Sequence, residues 1–598
     1  MRQSKPEEVK LPLPDLRWSL HDLVAAAALF LATAAVVLWQ NAHLTILWDA
    51  SYTLDTSFRI ALGQMPYRDF PLAHAPLTFL IQAAIIRLTG RVFFHHVLYA
   101  AIMGGLGTVL AWRIVLNMLR GRLRGCWAVS LLLAAPLTVL GIYSILPFPS
   151  YDCDCIFSIL FVILLLQRLP VSSGAPSSCS AKLLLQPFIT GAAIPLPLFF
   201  NQNIGLPFLA ATLALVLLLL IAGPLFRKPA AHSAAQLAAV LGGAVASLFA
   251  AGLLLHFTCG LHNYIHWTIQ FAAERRLPGL ADMLGVYAEL SLLWWLPVVA
   301  AALVLLRSPL AKYLWARVVA AGLLAAPFAW TLVGLFLSSD ADDRASSLLA
   351  LWPLLLVLSG VLTLWNLFHN LSLRSLLPVI LLVTINGTLL SQQLWGSTYA
   401  IWPLLVLLIA EMIVFLASID RTEKVESVRP RTLLAAPALA AVIAATIIVC
   451  GGLYMASEER LSYADLENSV EHSAEPALRG MAVSGAYLPD FEELLSFVSD
   501  EIPNADGLIL IPGEDPFYFA TGRVPQFPVL LFDRATDPLT PAQLAEEARA
   551  RKIRWLIVKH DLQIKEDPTP EREAALEALQ QIFQPYRKLG GYDVYRRP

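Results

Sequence analysis

Apolar runs long enough to cross a bilayer as helices recur from residue 23 to residue 454, and they restrict the chain to a membrane fold. They lie near 23–39, 96–119, 127–146, 156–166, 184–200, 205–220 and 234–256, then near 286–306, 318–337, 347–367, 376–390, 401–417 and 433–454. This gives about thirteen spans of roughly 20 residues, the run at 156–166 being short. The 598 residues are 57% hydrophobic and 14% charged, which excludes an ordinary soluble domain. A net charge of −2 and the lack of a basic stripe interleaved with aromatics exclude a nucleic-acid partner. The six cysteines are scattered and form no disulfide framework and no zinc-type spacing.

Charge placement orients the spans. Arg2, Lys5, Lys10 and Arg17 precede the first run, which is long for a signal-peptide core and predicts a retained anchor with a cytoplasmic N-terminus. Arg113, Arg120, Arg122 and Arg124 form the next cytoplasmic group, so a single crossing separates Asp49 from Arg120. The stretch 71–90, with His74, Gln82 and Arg87, is then a surface helix. Arg227 and Lys228, then Arg307, Lys312 and Arg317, then Arg421, Lys424, Arg429 and Arg431 fall on the cytoplasmic side. Asp340, Asp342 and Asp343 fall on the other.

An odd number of spans puts residues 456–598 outside, where composition becomes that of a soluble protein. A D-x-x-E capping signal at Asp490 and Glu493, strand-like runs at 508–511, 529–532 and 555–558, and helical patterns at 542–551 and 572–583 predict a small α/β domain. It carries no phosphate loop and no nucleophile elbow, so it reads as a structural or acceptor-docking module. The predicted fold is a mainly α, polytopic membrane domain over 1–455 with external juxtamembrane helices, followed by this external domain.

The stretch WDASYTLDTSFRIALGQMPYRDF, 48–70, follows the first span directly. Leu54, Phe58, Ala61 and Leu62 recur at helical spacing, with Asp55 and Arg59 one turn apart on the other face as an acid-before-base pair. Gly63 closes the helix. Such a pattern predicts a helix lying on the bilayer surface, with Asp49 just ahead of its partly positive end. Asp49 is then either an N-cap or a base held at the water-lipid boundary. Asp69 is at least the acid of a turn fixed by the prolines of PYRDFP.

An acid after the first span, a short amphipathic helix, Gly63 and then P-Y-R-D-F together resemble the first external loop of the GT-C glycosyltransferases. These membrane enzymes use polyprenyl-phosphate sugars; bacterial lipid A aminoarabinose transferases, lipopolysaccharide-core galacturonosyltransferases and protein O-mannosyltransferase-like enzymes are among them. The resemblance makes Asp49 the catalytic acid of the motif and gives Tyr67, Arg68 and Asp69 a part in substrate binding. The Glu that usually follows the Asp is Ala50 here. P-F-Y-F-A-T-G-R at 516–523 is similar to segments that close many bacterial GT-C chains.

Three further groups fall on the same face. In Tyr151-Asp152-Cys153-Asp154-Cys155 the carboxylates are solvated helix ends, or a metal site whose alternate residues an extended segment would point apart. The resemblance makes Asp154 the second catalytic acid, with Asp152 beside it on the substrate. Asn201-Gln202-Asn203 before Gly205 is a polar turn or, through Asn203, a donor contact. The long loop 258–285 carries His262, His266, Trp267, Glu274, Arg275 and Arg276. Its paired arginines meet lipid phosphates or clamp the leaving phosphate, with His262 and His266 as further binding candidates.

The activity expected is transfer of a sugar from a polyprenyl-phosphate donor of the undecaprenyl-phosphate type to a glycan, lipid or protein acceptor outside the bacterial inner membrane. Asp49 takes the acceptor's proton and the anomeric carbon inverts. No cofactor is required by the sequence, and a divalent metal stays open. Two rivals stand beside it. A transporter would use Glu289, Asn386 and Glu411 inside spans, but no internal repeat accompanies them. A non-catalytic scaffold would suit Ala50 and would leave Asp49, Asp154 and the loop arginines unconverged.

Overall fold

Ser19 and Asp22 start the first helix by a reciprocal pair of bonds: the Ser19 hydroxyl accepts from the Asp22 N–H, and the Asp22 carboxylate accepts from the Ser19 N–H, each at 3.1 Å. The computed structural model describes residues 18–44, 47–123, 125–144, 146–169, 181–226, 233–276, 279–337, 351–369, 376–389, 399–419, 435–456, 469–484, 487–533, 536–560, 562 and 570–598. The arginines and lysines at 2–17, 124, 227–228 and 421–431 and the acids at 340–343 lie outside them.

The helices in the first half are α1 (Leu20–Asn41), α2 (Trp48–Ala61), α3 (Leu77–Thr89), α4 (Phe93–Leu119), α5 (Cys126–Ala134), α6 (Tyr151–Gln167), α7 (Ala181–Ala193), α8 (Gln202–Phe226) and α9 (Ala234–Thr258). Then come α10 (Leu261–Ile265), a π-helical turn (His266–Phe271), α11 (Ala272–Arg276), α12 (Leu280–Gly285), α13 (Leu292–Arg307) and α14 (Leu314–Leu337). The membrane part ends with α15 (Leu351–His369), α16 (Leu377–Thr388), α17 (Trp402–Ile419) and α18 (Ala435–Ala456).

Six helices among the described residues are long and apolar enough to cross a membrane, and seven apolar helices are shorter. Prolines interrupt two of the thirteen expected runs. The run at 127–146 turns into a 3-10 helix holding Pro136, and that at 184–200 breaks before a 3-10 turn with Pro197. The run at 286–306 starts as a 3-10 turn and becomes α-helical at Leu292. The stretch 71–90 yields the 13 residues of α3, roughly 20 Å at 1.5 Å per residue. Where α7 meets α9 the backbones touch: a Cβ on Gly191 would fall 1.9 Å from the Val240 carbonyl oxygen, and one on Gly243 would fall 2.1 Å from that of Phe188.

The C-terminal part contains β1 (Val470–His472), β2 (Ala482–Ser484), α19 (Tyr487–Glu501), β3 (Gly507–Ile511), α20 (Phe517–Thr521), α21 (Pro541–Ala550), β4 (Ile553–Lys559), α22 (Pro570–Gln580), β5 (Gln584–Lys588) and β6 (Tyr592–Arg596). A four-stranded sheet runs β3-β4-β6-β5, with β3 parallel to β4 and the other pairs antiparallel. Alternation along β3 splits it between two cores: Leu508 and Leu510 join the one continuous with the membrane helices, while Ile509 and Ile511 join a second with Phe527 and Leu544. The expected strand at 529–532 is a bend whose Val529 and Phe532 serve that second core. Asp490 does not cap a helix, because α19 already begins at Tyr487; Glu493 instead accepts from the Gly590 N–H at 2.9 Å.

Candidate active site

Helix α2 begins at Trp48, with Leu47 as its cap residue, so Asp49 lies in the first turn and is not the N-cap. Asp49 is exposed, whereas every residue from Ala50 to Ile60 is buried. Helix α2 is thus covered by protein, in part by the C-terminal region. Gly63, at φ 100°, closes the helix as its pattern requires.

The expected Asp55–Arg59 pair is replaced by two separate anchors. The Asp55 carboxylate accepts from the backbone N–H of Tyr518 at 3.1 Å and of Phe519 at 2.7 Å, at the start of α20. Burial pushes its carboxyl up to about 8, against the downward pull of those N–H groups. Arg59 lies 4.4 Å over the Phe70 ring and donates to the Pro528 carbonyl at 2.8 Å and to the Gln64 side chain. Burial brings its guanidinium down to about 10. Arg91 holds the other end of α20, donating to the carbonyls of Phe519 at 2.6 Å and Ala520 at 2.9 Å. Acid at the N-terminus and base at the C-terminus is the arrangement a helix dipole favours. P-F-Y-F-A-T-G-R is thus the segment by which the C-terminal region grips α2.

The turn after α2 sorts its residues by direction. Asp69 accepts from the Met65 N–H at 2.7 Å and takes a two-pronged bond from Arg68 at 2.8 and 2.9 Å. Both sit on the outer side, with side chains 55% (Arg68) and 34% (Asp69) exposed. The Arg68 guanidinium holds the Asp69 carboxyl below its usual range. Tyr67 points inward from a left-handed backbone, φ 67°; its hydroxyl donates to the His74 carbonyl at 2.6 Å and its ring stands edge-on to Tyr264 at 5.3 Å.

From there the contacts reach three distant loops. His74 Nε2 lies 2.9 Å from the Tyr151 hydroxyl at the start of α6. Gln202 Nε2 donates to the carbonyls of Ala73 at 2.9 Å and Thr268 at 3.1 Å, joining the start of α8 to the turn and to the π-helical segment. Asn201 caps α8 by accepting from the N–H groups of Asn203 at 2.7 Å and Ile204 at 3.2 Å, and its amide donates to Asp152. The structure therefore gathers Tyr67, Asp152 and the Asn201–Asn203 turn with the 264–268 segment. Trp48, next to Asp49, packs against the same aromatic cluster.

Asp154 is held differently. It is 1% exposed, and its oxygens accept from the hydroxyls of Tyr143 at 2.6 Å, Thr78 at 2.7 Å and Tyr99 at 2.8 Å. The segment is helical from Tyr151, not extended, and Cys153 and Cys155 are buried free thiols. Among the described residues no three His, Cys, Asp or Glu side chains gather to hold a metal ion. With Asp152 turned to Asn201 and Asp154 to hydroxyls, this donor set does not fit a divalent ion.

On the long loop, His262 and His266 are exposed; His266 Nδ1 lies 3.1 Å from the Gln270 side-chain oxygen. Arg275 is exposed and sits 5.3 Å over the Phe271 ring. Burial pushes the Asp537 carboxyl up to about 7, against the downward pull of the Leu539 N–H and, more weakly, of the Arg275 charge. The side chain of Arg276 lies outside the described residues. Sequence reasoning missed Thr78, Tyr99 and Tyr143 as partners of Asp154, and His74, Tyr151 and Tyr264 as links between loops. Their polar atoms in apolar surroundings were the available signal.

The chain matches the crystal structure of the Archaeoglobus fulgidus oligosaccharyltransferase in the apo form with a TM-score of 0.51 at 11% identity, over 96% of this chain and 74% of that one. It is also similar to ArnT from Cupriavidus metallidurans bound to undecaprenyl phosphate, with a TM-score of 0.48 at 11% identity, over 97% of this chain and 98% of that one. No protein-family profile and no curated protein matches the sequence. The fold is that of the GT-C glycosyltransferases.

Proposed function

We propose that this chain transfers a sugar from a polyprenyl-phosphate donor to a glycan, lipid or protein acceptor at the external face of the bacterial inner membrane. The observation that carries this reading is the convergence of four loops, far apart in sequence, on one aromatic and polar cluster edged by the exposed Asp49. A transporter would place its polar groups at the bilayer midplane instead.

In the proposed reaction Asp49 accepts the proton of an acceptor hydroxyl or amine. The new bond forms at the anomeric carbon while the bond from that carbon to the phosphate oxygen breaks. The phosphate leaves with the electron pair, and displacement from the opposite side inverts the carbon. A general base contributes on the order of 10²-fold or more. Arg275 supplies charge to the leaving phosphate, and the aromatic cluster keeps water from the reacting bond. Asp154 is a positioning residue that ties α6 to α3, α4 and Tyr143. Residues 1–455 carry the chemistry, and 456–598 form an external region that fixes α2.

A second reading, a non-catalytic scaffold of the same fold, is favoured by Ala50, which is 2% exposed where the motif usually has Glu. The test uses the purified full chain in lipid nanodiscs with a panel of polyprenyl-phosphate hexoses and pentoses, following release of polyprenyl phosphate. Release is expected with at least one donor. Arg275→Ala should slow it by more than it weakens donor binding, and Arg275→Lys should recover part of the loss. No release from any donor by the folded wild type would favour the scaffold.

A further inference from the structure

Helices α13, α14, α15, α17 and α18 line an apolar cavity of about 170 Å³. The placement of Lys and Arg along the sequence puts Arg307 with the cytoplasmic group, on the side opposite that expected for Asp49. Phe328, Leu355 and Ile443 form part of the cavity's closed side and are buried. Val361, which also lines it, is 60% exposed, so the cavity opens sideways on α15 toward the surrounding lipid.

Arg307 is the one charged residue among the described lining residues. It is exposed at the end of α13, and its guanidinium stands 4.9 Å over the Trp365 ring, which also lines the cavity. An apolar space of this size has no polar partners to hold water and takes an apolar guest instead. A cation stacked on an aromatic ring at its rim supplies a partner for an anionic head while leaving the interior dry.

We propose that this cavity binds one acyl chain of an anionic phospholipid, with the lipid phosphate on Arg307. The site belongs to the leaflet opposite the loop cluster and is separate from donor binding there. Charge complementarity selects the occupant: a zwitterionic lipid fills the same cavity but gains less from Arg307. One cationic side chain near a membrane surface is worth roughly 1 kcal/mol toward an anionic lipid, or about fivefold.

The test is native mass spectrometry of the purified full-length protein, released from detergent micelles with phosphatidylglycerol or phosphatidylcholine. The wild type should retain phosphatidylglycerol about fivefold more than phosphatidylcholine. Arg307→Gln should retain the two equally, with the thermal midpoint unchanged in lipid-free detergent. Leu358→Phe, which narrows the cavity conservatively, and Leu358→Trp, which fills it, should lower retention of both lipids in that order. Equal retention of both lipids by the wild type, a preference surviving Arg307→Gln, or retention unaffected by a folded Leu358→Phe variant would each overturn the site.

Discussion

The starts of α2 and α6 look alike in sequence, each placing acid at the edge of a membrane helix, yet the structure treats them in opposite ways. Asp49 is exposed in the first turn of its helix, while Asp154 is buried under three hydroxyls contributed by Thr78, Tyr99 and Tyr143. A carboxylate whose oxygens are saturated by protein donors organises structure, and one facing solvent can meet a substrate. In the reaction we propose, this contrast is the reason for taking Asp154 as a positioning residue and Asp49 as the base.

The largest expected effect is on the α6 side. Asp154→Ala leaves three buried hydroxyls without their acceptor, at a cost of roughly 3 to 5 kcal/mol. The thermal midpoint in detergent should fall steeply, and Asp154→Asn should fall less because one oxygen remains. A midpoint unchanged in Asp154→Ala would break the contrast.

A smaller effect is expected at Asp55, which joins α2 to α20. Asp55→Ala removes the acceptor of two backbone N–H groups, worth roughly 2 kcal/mol, and limited proteolysis should cut the C-terminal region faster. Its folded carboxyl is raised from the ordinary 3.8 to about 8, so the native state holds the proton more tightly than the unfolded chain. The resulting stabilisation is full below about pH 4 and is lost as pH rises toward 8. The midpoint difference between wild type and Asp55→Asn should shrink from pH 5 to pH 8; a difference that grows would reverse the assignment. Smallest of all is Arg68→Ala: its ion pair with Asp69 is open to solvent, so the midpoint should stay with that of wild type.

How much of this was legible in the sequence follows from where each partner sits. The spacing of Leu54, Phe58 and Ala61 and the stop at Gly63 revealed α2, because helix and cap are local. The partners of Asp55 were not legible, since Tyr518 and Phe519 lie more than 460 positions away and the nearer Arg59 offered a sufficient local match. The resemblance picked out the loops around Asp49, Asp152 and Asn201, and the structure joins the turn after α2, Asp152 and the Asn201 turn in one cluster. It could not show that Asn201 and Gln202 make the links within it, nor that Thr78, Tyr99 and Tyr143 enclose Asp154, since hydroxyls within apolar runs leave no periodic mark. The breaks at Pro136 and Pro197 fall at 3-10 turns that apolar content alone does not register.

The most direct test of the account is the transfer rate of Asp49→Asn. The substitution keeps the size of the side chain and removes its ability to take a proton, and because Asp49 is exposed the protein should fold and melt as the wild type does. Measured as polyprenyl phosphate released from a donor that the wild type consumes, the rate should drop by on the order of 10²-fold or more, with donor binding retained. A folded Asp49→Asn protein that transfers sugar at the wild-type rate would contradict the assignment of Asp49 as the base.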